Sequence, residues 1–142
     1  MIRRRGLAAL PLLALVATAP NADVGKAEGR CLPNEAGPAL VVRVDGLKDR
    51  KGNLKLEVYP ANDRDFLADD LSLVSAGKVF RRVVVPVPVS NPVDLCIRVP
   101  GPGTYSVSLL HDRNGDRKFD WMADGLGFGG NPKLDLSKPK AA

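Results

Sequence analysis

The sequence predicts an all-β fold, an antiparallel β-sandwich of about five to seven short strands with a disulfide-tied N-terminal arm. Three observations carry that expectation. Between Ala39 and His111 apolar and polar residues alternate in five runs, the period of a strand buried on one face. The runs are punctuated by turn formers such as Gly46 to Asn53 and Pro100-Gly101-Pro102-Gly103. No sustained helical period separates them, so the crossover helices of a parallel α/β sheet are missing. A five-stranded barrel is the alternative closure, and no internal repeat is present.

Residues 1–22 read as a secretory signal peptide. Arg3, Arg4 and Arg5 precede an apolar run from Leu7 to Ala17, and small residues follow at Thr18 and Ala19. The run is well short of the ~20 residues that span a bilayer, so no transmembrane segment is expected. Pro20 disfavours a cut after Ala19, and a cut near Ala22 is the alternative. No cysteine ends the apolar run, which argues against a lipid anchor. The expected location is periplasmic or secreted. Removing the three arginines leaves 18 basic against 16 acidic residues, near +2. Basic residues then occur only as short pairs such as Arg81-Arg82, not the stripe that nucleic-acid binding needs.

Residues 23–38 form an N-terminal arm without a clean period, read as loose and tied down by Cys31. In an exported chain a lone pair of cysteines, Cys31 and Cys96, is expected to bridge. The β-sandwich domain spans residues 39–132. Leu40, Val42 and Val44 form one inward row and Leu54, Leu56 and Val58 the next; the two runs are expected to pair as a hairpin. Residues 60–75 break the pattern, with one short helical turn expected near Phe66 to Leu71. Val83, Val85 and Val87 follow, with Pro86 and Pro88 on the other face. Proline cannot donate to a ladder, so this run is an edge or irregular strand. Val93, Leu95, Ile97 and Val99 make the next inward row, which turns Cys96 outward between Asp94 and Arg98. Tyr105, Val107, Leu109 and His111 make the last.

The segment after His111 carries most of the candidate chemistry. Asp112, Asn114, Asp116 and Asp120 occupy relative positions 1, 3, 5 and 9, with Lys118 placed to offer its backbone carbonyl. Calcium takes six to eight oxygen ligands, and an alternating acidic loop supplies them. Relative position 6 is Arg117 where such loops carry glycine. The closing glutamate is replaced by Ala123, with Asp124 next. Arg113, Arg117 and Lys118 dilute the negative charge. These departures favour the competing reading, a turn whose carboxylates accept backbone amides. Calcium is the one candidate cofactor.

His111 and Asp112 are adjacent, yet there is no second histidine, no Gly-x-Ser-x-Gly elbow and no zinc-type histidine pair. A nucleophile with an oriented base is therefore not legible. A lone histidine in the apolar row of a strand is expected to be packed and bonded to a backbone carbonyl. His111, Trp121, Phe128 and Asn131 are the candidate binding surface.

The run from Gly103 to Asp120, followed by GLGFGGNP, resembles the bacterial family catalogued as domain of unknown function 2141. The resemblance rests on Gly103, Tyr105, His111, Asp112, Asn114, Asp116, Lys118, Asp120, Gly125, Gly127, Phe128 and Asn131, and on the earlier stretch VVRVDGLKDRKGNLKLEVYP. It covers roughly residues 39–132 and implies a small exported β-sandwich; it implies no activity. Two departures stand out. Gly130-Asn131 replaces a pair of asparagines, and a tail at residues 133–142 replaces a further strand. The functional expectation is a non-catalytic binding or structural module that recognises a protein or carbohydrate, as a monomer or weak homodimer. The alternative is an enzyme or carbohydrate-processing accessory acting through the surface around His111, Asp112 and Trp121.

Overall fold

The computed structural model describes residues 23–130 and 138–141. Residues 1–22, expected to be a signal peptide, Asn131 and most of the tail lie outside the described residues. The chain forms α1 (Lys26–Gly29), β1 (Ala39–Val44), β2 (Asn53–Pro60), α2 (Asp70–Ser75), β3 (Arg81–Pro86), β4 (Val93–Arg98), β5 (Tyr105–Asp112) and β6 (Gly125–Phe128). The strands make two antiparallel sheets, one of order β1-β4 and one of order β3-β2-β5-β6.

The sheets face each other across one core. Val44 from β1, Leu54, Leu56 and Val58 from β2, and Val93, Leu95 and Ile97 from β4 are all buried there. Leu40, Val42, Val83, Val85, Val107 and Leu109 pack against the same cluster but are only half-buried. The inward rows read from the sequence are therefore the rows the fold uses. Ile97 is completely buried, whereas its neighbour Arg98 faces outward. Ile97→Ala should cost about 2–5 kcal/mol in urea unfolding. Arg98→Ala, which loses a pair with partly exposed Glu35 and opens no cavity in the core, should cost clearly less. Equal costs would argue against this register.

One pairing differs from the expected one. β1 and β2 do not form a hairpin: β1 pairs with β4, and β2 lies between β3 and β5 in the other sheet. Residues 45–52 instead cross between sheets. The crossing is held by Gly52, whose φ of +70° suits glycine, and where an added Cβ would lie 1.9 Å from the Asp112 carbonyl oxygen. β3 is the edge strand that its prolines announced.

The four-stranded sheet is covered on both faces. Tyr59, Phe66, Leu73 and Phe80 form a second cluster on the side away from β1 and β4. Tyr59 meets Phe66 and Phe80 edge-on, at 5.5 and 5.3 Å between ring centroids. The alternation alone would send Glu57, Ser106 and Ser108 to solvent, yet all three are buried under this layer. The helix in the covering segment starts at Asp70, later than expected. Asp69 fixes its start by accepting the Ser72 amide at 2.8 Å.

Under that layer lies a charged cluster. Arg82 Nη2 sits 2.7 Å from Glu57 Oε1 and 3.0 Å from Asp70 Oδ2. Tyr59 donates its hydroxyl to Glu57 at 2.7 Å, and Lys55 approaches the same carboxylate at 3.3 Å. Burial works against ionised Glu57, but Lys55, the Tyr59 hydroxyl and Arg82 outweigh it and hold the carboxyl below its usual range. Burial, and then the Glu57 charge, push the Tyr59 phenol well above its ordinary value.

The N-terminal arm is not loose. Gly25 accepts the Arg82 amide at 3.1 Å, Val24 joins the second cluster, and Glu35 pairs with Arg98 at 2.9 Å. Cys31 is bonded to Cys96 on the outward face of β4. At the other end, Lys138 donates to the Asp63 carbonyl and the Ala141 amide to the Asp63 carboxylate.

Candidate functional site

Asp112 ends β5 and its side chain folds the next turn onto itself. Its Oδ1 accepts the Gly115 amide at 2.8 Å and its Oδ2 the Arg117 amide at 2.9 Å. Asn114 accepts the Asp116 amide at 3.1 Å, and Asp116 accepts the Lys118 amide at 2.9 Å. Asp124 closes the loop by accepting the Arg113 amide on one oxygen and the Asp120 amide on the other. These are Asx-type bonds, the turn chemistry that alternating Asp and Asn favour.

The same folding gathers carboxylates. Asp112, Asp116 and Asp124 each present an oxygen within 4.8 Å of the others. Asp112 is buried, Asp124 half-buried and Asp116 exposed. Asp120 stays outside this cluster, accepting the Met122 amide at 2.8 Å. Asp124, one residue beyond the closing position of an EF-hand-type loop, is thus the convergent acid that positional counting passed over. Three like charges this close repel one another. The amides offset part of that, and each ionised carboxylate retains lone pairs for a further donor or ion.

Arg117 has φ +67°, in the left-handed region where the sequence lacks glycine. A non-glycine residue there costs about 1–2 kcal/mol. Arg117→Gly is therefore expected to stabilise the fold by up to about 1 kcal/mol, after glycine's extra chain entropy is counted. Urea unfolding checks this, and a destabilised variant would contradict it.

Arg113 ties the loop to the crossing between sheets. Its guanidinium holds Asp49 through Nε at 2.9 Å and through Nη2, and Nη1 donates to the Ala123 carbonyl at 2.7 Å. Arg113, then the Lys51 amide, keep the Asp49 carboxyl well below the usual carboxylate range. His111 packs beside them, 4% exposed, with Nε2–H donating to the Lys51 carbonyl at 2.8 Å. His111, Arg113 and Asp124 border a cleft of about 140 Å³ together with Lys48.

The other candidate surface residues are scattered. Trp121 is 80% exposed, beside exposed Met122 and Phe119, and does not border that cleft. Phe128 lies opposite Ser108 in the ladder and stacks edge-on against Phe66, on the face away from His111. Asn131 is outside the described residues. Sequence reasoning missed the Glu57–Arg82–Asp70 cluster, because each residue sits innocuously in the polar phase of its own segment. Only the β2–β3 register, which sets Glu57 opposite Arg82, reveals it.

Among the described residues no helix is long and apolar enough to cross a membrane. The disulfide fits an oxidising compartment. No curated protein and no solved structure matches the chain. Residues 42–142 match a family model described as an uncharacterized protein conserved in bacteria, DUF2141, and the match runs through the C-terminal tail. With well over half its length inside that model, and with the loop residues that carried the resemblance, the chain belongs to the DUF2141 family of bacterial proteins.

Proposed function

We propose that this is an exported, non-catalytic binding module whose segment from Asp112 to Asp124 is ordered by weakly held calcium. The observation that carries the reading is the convergence of Asp112, Asp116 and Asp124. Asn114 and Asp120 lie in the same turn, and the Lys118 carbonyl is the remaining donor the spacing offers. Hard oxygen donors from one tight loop suit calcium, and the lack of a bidentate closing glutamate sets the affinity at about 10⁻⁴–10⁻³ M. Calcium at that level is an extracellular or periplasmic matter, in keeping with the leader-like residues 1–22 and the disulfide. The packed imidazole of His111, committed to the Lys51 carbonyl, supports binding over catalysis. Exposed Trp121, Met122 and Phe119 beside the loop are the surface such ordering would present to a protein or carbohydrate.

Thermal melting tests this. At about 10 mM calcium, occupancy should add about 1.4–2.7 kcal/mol relative to chelator, a rise of several degrees. Asp112→Ala with Asp116→Ala should abolish the rise. No shift in the wild type, or an equal shift in the double variant, leaves a plain hydrogen-bonded turn.

A further inference from the structure

The two sheets have unequal edges. Along β3 the outer edge is blunted: Gly25 takes up the Arg82 amide, and Pro86 ends the strand. Among the described residues β1 has no such protection. The Val99 amide bonds to the Pro38 carbonyl at 3.2 Å, which makes Pro38 and Val99 a bonded pair. The antiparallel alternation then directs the amides and carbonyls of Leu40, Val42 and Val44 toward β4. Those of Ala39, Val41 and Arg43 point outward, and among the described residues none of them has a backbone partner. Val41 stands 70% exposed in the middle of this edge. The one charge, Arg43, is drawn onto Asp94 of the same sheet by two contacts of 2.8 Å.

Among the described residues the core is also incompletely roofed beside this edge. A two-stranded sheet covers a four-stranded one, and a groove of about 700 Å³ opens between β1 and β6. Its walls and floor include Val42, Val44, Leu56, Val107 and Leu109, with Gly127 on the far lip. An added strand at β1 would satisfy the edge and lie over that groove.

We propose that the occupant is β1 of a second copy, paired antiparallel about a twofold axis at Val41. In that register Val41 faces Val41, and Ala39 faces Arg43 at bonded positions, so every outward amide and carbonyl of the edge is met. No like charges are opposed. Sliding the pair by two residues toward the C-terminus sets Arg43 against Arg43, which cross-strand repulsion disfavours. The self-complementary register is what favours a second copy over a foreign peptide. The result is a C2 dimer with a continuous four-stranded upper sheet. So short a pairing is a small interface, below the ~1,200 Å² of stable complexes, and the dimer is concentration-dependent.

Sedimentation equilibrium of the mature chain over rising concentration should show a monomer–dimer equilibrium. Val41→Pro removes an outward amide without touching the β4 ladder, a place where an edge tolerates proline. It should weaken dimerisation at least tenfold with the circular dichroism unchanged. In Val41→Cys, the twofold brings the new thiols onto bonded-pair positions with Cα atoms ~5.5 Å apart, within disulfide reach. Mild oxidation should cross-link Val41→Cys and not Val89→Cys, which is 89% exposed elsewhere. Should Val41→Pro fail to fold, the cross-linking pair decides. A strict monomer at the highest concentration overturns the proposal, as does a dimer that Val41→Pro leaves intact or that Val41→Cys fails to cross-link. A monomer whose edge captures an extended foreign peptide overturns it too.

Discussion

Arg82→Met is expected to lower the unfolding free energy by about 3–5 kcal/mol, the usual cost of stranding a buried charge. Arg82 is the cation between Glu57 and Asp70, and all three are largely buried beneath the second cluster. Methionine keeps much of the apolar stem, so lost packing is a minor part of the change. What remains is two buried carboxylates with, among the described residues, only Lys55, 3.3 Å from Glu57, to offset them. The pH dependence separates this from a packing defect. In the wild type the Glu57 carboxyl titrates below its ordinary range. Its contribution is therefore present above the unfolded value of about 4.3 and is lost as the pH falls through the folded value. In Arg82→Met the buried Glu57 charge loses its nearest cation, so acid should relieve the variant. The gap between wild type and variant in urea unfolding should narrow between neutral pH and about pH 4. A cost under about 1 kcal/mol at neutral pH, typical of a solvent-exposed pair, would contradict the buried cluster.

Reducing the Cys31–Cys96 bridge, or replacing both residues with serine, is expected to cost about 4 kcal/mol in the chain-entropy model. The bond closes 65 residues of sequence, which is why so large a share of the unfolded chain's freedom returns when it opens. The loss should also be local in the native state. The arm keeps the Arg98 contacts to Glu35 and the Ala36 carbonyl, its Gly25–Arg82 bond and the packing of Val24, yet these are non-covalent and few. Hydrogen exchange should accelerate first at the Arg82 amide, where the arm meets β3. Unchanged stability on reduction would mean the arm is held by its other contacts alone.

Much of the sandwich is legible in the sequence because one face of each strand is buried. Leu54, Leu56 and Val58, or Leu95 and Ile97, can point only one way, since a slip of one residue exposes the whole row. Pairing is not legible in the same manner. β1 and β2 look like a hairpin because they are neighbours in sequence, but an eight-residue link is long enough to change sheets. The close approach of Gly52 to Asp112, which fixes that crossing, is a fact of three dimensions. Burial of the second face was hidden for a similar reason. Glu57, Ser106 and Ser108 look like solvent positions until residues 60–80 fold over them.

The candidate site divides along the same line. Asp112, Asn114 and Asp116 are local in sequence, and their turn follows from their own side chains. Asp124 joins them only because Arg113 anchors both ends of the loop, through its own amide and through the Ala123 carbonyl. His111 is where an apolar row places a histidine, packed against a carbonyl.

Amide-resolved magnetic resonance during a calcium titration tests most directly the proposal that Asp112, Asp116 and Asp124 hold a divalent cation. The expected result is a set of saturable shifts at Gly115, Arg117, Lys118 and Asp120, fitting one dissociation constant of about 10⁻⁴–10⁻³ M. Amides of β2 and β4 should hold still, and Asp124→Asn should weaken the response at least tenfold. Shifts that never saturate, or that spread equally over Asp23, Asp63 and the other exposed acids, would contradict a built site and leave the loop as a turn closed by its own amides.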